Sequence, residues 1–182
     1  MAKEWKTGVD GLGKCRNIVL VGFMGTGKST VSRILSERLG WERIDTDEEI
    51  ERRAGNTIPQ LFEEEGEQSF RDWESRVLED VLSGSGKVVA TGGGAVLREN
   101  NRRVMLAGGW VVALTADKDT LIKRVSSSAA SGTRPLLAGD AEARVTALLE
   151  SRQRAYDFAQ ATIDTSRLSP ADVANMMLHW IR

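Results

Sequence analysis

The chain has one cysteine, Cys15, and one histidine, His179, in 182 residues. A lone cysteine can form neither an intrachain disulfide nor a cysteine-based zinc site, and a chain without disulfides suits the reducing cytosol. A lone histidine near the C-terminus makes a Ser-His triad or histidine general-base chemistry an unexpected mechanism. Proline is scarce at three residues, and aromatics make up 5%. No apolar run approaches the roughly 20 residues that span a bilayer. A charge excess is also missing: 25 basic and 26 acidic residues leave a net charge of -1. Bulk attraction to nucleic acid or to an anionic membrane is therefore not expected. Residues 1–16 are polar, lack the apolar region of a signal peptide, and read as a flexible arm before a single domain over 17–182. Hydrophobic and charged contents of 41% and 28% are ordinary for a globular domain.

What is present begins with Gly22-Phe-Met-Gly-Thr-Gly-Lys-Ser29, directly behind the apolar run Ile18-Val-Leu-Val21. It fits the pattern G-x-x-x-x-G-K-[ST], in the strand-before, helix-after setting the pattern requires. Glycines let the backbone wrap around phosphate oxygens, with successive N–H groups pointing inward as a nest. The helix start adds its positive dipole end. Lys28 can reach the β- and γ-phosphates of a nucleotide, and the Ser29 hydroxyl can ligate Mg²⁺. Val31, Ile34, Leu35 and Leu39 line one face of the following helix, and Gly40 stops it.

Strand and helix patterns alternate along the chain, which indicates an α/β fold with a parallel sheet. The strand candidates are 18–22, 42–45, 87–91, 110–114 and 161–164, mostly short apolar runs suited to burial on both faces. Helices are expected at 28–39, 47–54, 67–82, 99–107, 117–125, 140–159 and 170–181, with a further one capped by Thr57. Ser169-Pro170 makes a good N-cap and first-turn pair for the last. Between residues 126 and 139 the run Ser126-Ser-Ser-Ala-Ala-Ser-Gly132 precedes Thr133-Arg134-Pro135. It reads either as a surface loop or as a lid that brings the Arg134 cation to a transferring phosphate.

Other residues fall at strand ends, where ligands bind in an open parallel sheet. Asp45-Thr46-Asp47 closes the second strand: Asp45 could hold Mg²⁺ directly or through water, and Asp47 could accept a proton from a hydroxyl. Both could equally be helix-capping carboxylates. Thr91-Gly92-Gly-Gly94 closes the third, and permits either close ligand approach or a tight turn. Arg71 and Arg152 can clamp a carboxylate bidentately, or serve as ordinary surface cations. Glu63 to Glu67 reads as a solvated helix end.

With these pieces in place the chain resembles the shikimate kinase family from Asn17 to about Ile181. The resemblance is carried by GFMGTGKST at 22–30, IDTD at 44–47, FRDWE at 70–74, ATGGGAV at 90–96, TRPLL at 133–137 and RQRAY at 152–156. It implies a P-loop nucleoside-triphosphate fold with a five-stranded parallel sheet in the order 2-3-1-4-5, a substrate-binding region over about 45–75 and a mobile lid over about 126–139. It implies transfer of the ATP γ-phosphoryl group to the 3-hydroxyl of shikimate, in chorismate and aromatic amino acid biosynthesis, with Mg²⁺ as cofactor. Gly25, Thr26, Gly27, Lys28, Ser29 and Thr30 would then bind the phosphates, Ser29 would bind the metal, and Asp45 would support the metal through water. Asp47 would contact the reacting hydroxyl as the base, with Lys28 and Arg134 as its catalytic companions. Arg71, Gly93 and Arg152 would hold shikimate, the arginines on its carboxylate. Arg124 would lie against adenine, with a further nucleotide contact somewhere in Arg167 to Pro170. A cytoplasmic monomer with small-molecule partners only is expected. The alternatives are another P-loop small-molecule kinase, such as a gluconate kinase, or a non-catalytic nucleotide-binding homologue. The motif combination argues against the first, and the presence of Lys28, Asp47 and Arg134 against the second.

Overall fold

Every residue of the strand Asn17–Gly22 is buried. A strand without an exposed face belongs in the middle of a covered sheet. This strand, β1, is central in the computed structural model, which describes residues 16–130, 141–152 and 154–181. On either side of it, and parallel to it, run β3 (Lys87–Ala90) and β4 (Trp110–Thr115). Outside these lie β2 (Glu42–Asp45) and β5 (Ala161–Asp164), also parallel, in the order β2-β3-β1-β4-β5. The order agrees with the one the family resemblance implies. Burial on both faces holds for the inner strands and not for the outer pair: β2 has no buried residue, and β5 has only Ile163.

Successive residues of a strand point to opposite faces, and β1 divides accordingly. Val19 and Val21 pack with Val89, Val111 and the helical Val77, Leu78 and Val81 on one side. Ile18 and Leu20 pack with Val88, Val112, Val31, Leu35 and Val173 on the other. The first face is covered from α2 (Thr46–Ala54), α3 (Ile58–Ser83) and α4 (Glu99–Gly108), the second from α1 (Lys28–Leu39) and α7 (Pro170–Ile181). A third, smaller cluster joins Phe23 to Leu121 and Val125 of α5 (Lys118–Ala130) and Val145 of α6 (Ala141–Ser151). Thr57 caps α3 in a capping box with Gln60, and Pro59 falls in its first turn, as expected. Ser169 Oγ accepts the Asp172 N–H at 3.2 Å at the start of α7.

The structure departs from the sequence reading in three places. The helices expected before and after residue 66 run on as one element broken at Gly66, whose φ of 81° and ψ of 172° belong to a region open almost only to glycine. α5 continues through the Ser/Ala stretch to Ala130 instead of stopping at 125. Alanine is the best helix former and serine is tolerated where exposed, and Ser127 bonds back to the Lys123 carbonyl at 2.8 Å. The helix expected over 140–159 ends at Ser151. Turns follow, in which Ala155, Tyr156, Phe158 and Ala159 pack onto the core, so tertiary contact overrides helical preference there. The remainder of the expected lid, 131–139 with Arg134, and arm residues 1–15 lie outside the described residues.

Asn17, fully buried at the start of β1, ties three crossings together. Its amide donates to the carbonyls of Gly84 and Gly108 at 2.9 Å each, and its side-chain oxygen accepts the Lys87 N–H at 3.0 Å. Asn17→Leu keeps the volume but strands these backbone groups without water. It should destabilise the protein by about 2–4 kcal/mol, seen as a lower urea midpoint at unchanged slope. An unaltered midpoint would mean that the amide is idle.

Candidate active site

In a parallel sheet all strands end at one edge, and here β1, β2 and β3 end there at Gly22, Asp45 and Ala90, with Asp45 paired to Ala90 and Ala90 to Leu20. After β1 the chain turns through Gly25 (φ 81°) and Gly27 (φ 95°), left-handed conformations that cost glycine little. The Thr26 hydroxyl donates to the Phe23 carbonyl at 2.8 Å and pins this loop. Lys28 Nζ donates to the carbonyls of Gly22 and Phe23 at 2.8 and 3.0 Å, which folds the lysine back over the loop. Ser29 Oγ donates to Asp45 Oδ2 at 2.9 Å, so the hydroxyl and the carboxylate expected at the metal are already together.

Asp45 also N-caps α2, accepting the Asp47 N–H at 3.2 Å. The capping alternative therefore holds for Asp45 alongside its place at Ser29. It does not hold for Asp47, which sits inside the first turn of α2. Thr46, to which the sequence reading assigned no role, is buried and accepts the Gly92 N–H at 3.0 Å. Thr91 bonds to the Leu20 carbonyl through both its N–H and its hydroxyl. The glycine turn is thus fastened to β1 on one side and to α2 on the other.

Four charged side chains close on that turn. A Cβ on Gly92 would lie 2.5 Å from Asp47 Oδ1 and 3.2 Å from Glu74 Oε1. One on Gly93 would lie 3.5 Å from Arg152 Nη1 and 3.5 Å from the Gly22 carbonyl of the phosphate loop. One on Gly94 would lie 2.5 Å from Arg71 Nη1. The tight-turn reading therefore holds, and the close approach seen here is that of the chain's own charged side chains. The three glycines make a turn, and their missing side chains are the space that the charges occupy.

Arg71 is held from two sides, by Glu74 at 2.6 Å and by Glu67 at 3.0 Å. Glu74 is buried and Glu67 exposed. Burial pushes the Glu74 carboxyl above its ordinary value, and Arg71, Arg152 and Arg98 pull it back only in part. Burial alone would lower Arg71, but its pairing with Glu74 and Glu67 outweighs that and leaves it raised. Glu74 stood inside the motif FRDWE without a role in the sequence reading. Its i, i+3 spacing from Arg71 was the available signal. Arg152 leaves the end of α6 with its guanidinium 6.0 Å above the Phe23 ring.

Beside the phosphate loop lies a cavity of about 240 Å³ lined by Gly25, Gly27, Thr30, Arg124, Leu168 and Pro170 among others. Arg124 donates to the Gly25 carbonyl and to the hydroxyl and carbonyl of Thr165 at 3.3, 3.0 and 2.8 Å. The apolar Leu168 and Pro170 fall in the segment where a further nucleotide contact was expected. No group of three or more Asp, Glu, His or Cys side chains able to hold a metal occurs among the described residues.

The model of the family described as shikimate kinase matches residues 24–182. Shikimate kinase of Pelotomaculum thermopropionicum is 39% identical over 168 residues, 92% of this chain and 96% of the relative. That of Geobacter sulfurreducens is 40% identical over 183 residues, covering 100% of this chain and 98% of the relative. Among solved structures, shikimate kinase from Acinetobacter baumannii in complex with shikimate superposes with a TM-score of 0.85 at 39% identity, over 95% of this chain and 96% of that one.

Two glycines of the site separate stability from geometry. At Gly22, where φ is 143°, a Cβ would lie 2.2 Å from the Leu114 carbonyl of β4. Gly22→Ala should cost about 2–5 kcal/mol, because backbone must move. Gly94 has φ -96°, open to alanine, and its obstacle is the Arg71 guanidinium, a side-chain tip that can shift between its two carboxylates where backbone cannot. Gly94→Ala should stay within about 1 kcal/mol of the parent while shifting the Arg71 Nε–H resonance. Equal urea midpoints for the two variants would contradict this.

Proposed function

The chain belongs to the shikimate kinase family, and on that premise we propose how its own residues divide the work of phosphorylating the 3-hydroxyl of shikimate with ATP. The observation that carries this reading is the convergence of Asp47, Arg71 and Arg152 on Gly92 to Gly94, against the carbonyl of Gly22. A carboxylate acceptor and two arginines fit a small hydroxy acid, and the adjoining loop fits a triphosphate.

Gly25 to Thr30 bind the phosphates through backbone N–H groups and the helix start. Arg124 flanks the base in the cavity that Leu168 and Pro170 complete. Arg71 and Arg152 clamp the shikimate carboxylate, with Gly93 between them, and the clamp aims the 3-hydroxyl toward Asp47. Asp47 accepts the hydroxyl proton as the oxygen bonds to the γ-phosphorus. The bond from that phosphorus to the β,γ-bridging oxygen breaks, and ADP leaves. Lys28 moves from its carbonyl partners to the phosphoryl oxygens and stabilises their charge. Arg134, outside the described residues, serves as the lid cation on the strength of the motif TRPLL. The Ser29 hydroxyl and Asp45 carboxylate are hard oxygen ligands. They would suit Mg²⁺, Ser29 as a direct ligand and Asp45 through water. When bound, Mg²⁺ supplies neutralisation of the β- and γ-phosphate charge.

The same reading takes residues 17–182 as one catalytic domain acting as a monomer in the cytoplasm. It is supported by the single sheet and by the lack, among the described residues, of a helix long and apolar enough to cross a membrane. Equilibrium sedimentation at several concentrations checks the monomer.

ADP release with ATP, Mg²⁺ and shikimate, against the same mixture with gluconate or with no acceptor, tests the activity, and chelation of the metal should abolish it. Lys28→Ala should lower kcat by about 10²–10³-fold with the fold intact. Asp47→Asn should lower kcat by about 10²–10³-fold, the lower half of the general-base range, because a loose transition state asks less of the base. Unchanged kcat with a raised KM in the aspartate variant would make Asp47 a binding residue only.

A further inference from the structure

The two arginines of the clamp are not supported alike. Arg71 is aimed by Glu67 and Glu74. Arg152 forms no salt bridge to a carboxylate among the described residues. It lies at the head of a turn segment whose backbone bonds, among the described residues up to 159, are local: Arg152 to Leu149, Ala155 to Arg152, Asp157 to Arg154 and Ala159 to Tyr156. The far end is tied to β4, where the Gln160 N–H donates to the Val111 carbonyl at 3.0 Å, but these bonds do not set the distance of the Arg152 end from the glycine turn. One side chain does set that distance. The Tyr156 hydroxyl donates to the Gly93 carbonyl at 2.9 Å, across 63 residues of sequence.

The Tyr156 ring packs against both the α3-side core and the cluster around Phe23, so its position is held independently of the hydroxyl. Phe23 carries the Arg152 guanidinium over its own ring. A phenol has one proton to donate and lone pairs left over. With the proton on Gly93, the lone pairs remain for a guanidinium N–H, and Arg152 is the cation beside this hydroxyl. Burial holds the phenol above its ordinary value against the pull of Arg152, which favours the neutral, donating form. The Gly93 carbonyl and the Gly94 N–H belong to one planar peptide and point in opposite directions. A bond to the first therefore sets the plane of the second, beside the Gly94 Cα whose added Cβ would lie 2.5 Å from Arg71 Nη1.

We propose that Tyr156 is a positioning residue for the acceptor: its hydroxyl sets the Gly93–Gly94 peptide and the Arg152 guanidinium at one mutual distance, that of a carboxylate held between them. This inference rests on the clamp reading above and adds to it the group that fixes the clamp's width. Tyr156 touches no reacting atom. Its effect falls on binding, since the carboxylate keeps its charge throughout the transfer and is held alike in ground and transition states.

Steady-state kinetics of Tyr156→Phe, Arg152→Ala and the double variant test it. Tyr156→Phe removes one oxygen and keeps the ring. KM for shikimate should rise about 5–20-fold, with kcat within about 2-fold and KM for ATP unchanged. In the double variant the rise should be clearly less than the product of the two single rises, because both changes disable one interaction. A raised KM in Arg152→Ala with parent kinetics in Tyr156→Phe overturns the inference and leaves the clamp standing, with Tyr156 as packing only. Strict multiplication in the double variant also overturns it. An unchanged KM in Arg152→Ala overturns the clamp itself, and the inference with it.

Discussion

Three residues without side chains organise this site. Any Cβ on Gly92 or Gly94 would fall within 2.5 Å of a charged side-chain atom. Asp47, Glu74, Arg71 and Arg152 come from α2, α3 and the end of α6, and they meet because nothing stands between them. The charges compensate in that space. Glu74 keeps Arg71 in place, and the cations around Glu74 offset in part the desolvation that raises its carboxyl. Bare backbone thus becomes the template on which two carboxylates and two arginines converge.

The template is itself suspended from the sheet. Thr91 hangs on Leu20 of β1, Gly92 hangs on Thr46 of α2, and the Gly93 carbonyl takes the Tyr156 hydroxyl. A parallel sheet brings all its strand ends to one edge, so the phosphate loop after β1, the Asp45–Asp47 corner after β2 and the glycine turn after β3 become neighbours by register alone. Phosphoryl transfer with little covalent work for the protein depends on such placement. Here the phosphate loop and the glycine turn that Arg152 approaches share the Gly22 carbonyl as a boundary.

Much of this was legible in residue order. Apolar runs marked the inner strands, Thr57 and Ser169 marked helix starts, and the motifs GTGKS, DTD and GGG named the edge positions. Less legible were features decided by partners distant in sequence. Residues 152–159 carry no glycine or proline to stop a helix, yet the helix ends at Ser151 because Tyr156 and Phe158 find better contacts on the core. The Ser/Ala run after residue 125 reads as a loop by composition, yet it is helical to Ala130 because alanine costs a helix nothing. Thr46 and Tyr156 sat inside recognised motifs without roles, since a hydrogen bond across 46 or 63 residues has no local signature.

The sequence by itself determined the family, the parallel α/β class and the chemical types at the site: a phosphate loop, an acidic corner, glycines and arginines. The family was legible as a resemblance carried by the motifs in their order, while the class and the chemical types follow from periodicity, backbone permissiveness and charge, which are properties of short windows of chain. Tertiary structure alone decided which carboxylate orients which arginine, that Asp45 serves both Ser29 and the start of α2, and that Arg152 reaches Gly93 from a turn and not from a helix. Those outcomes depend on distances between elements, and such distances are set only once the sheet is assembled and its core is packed.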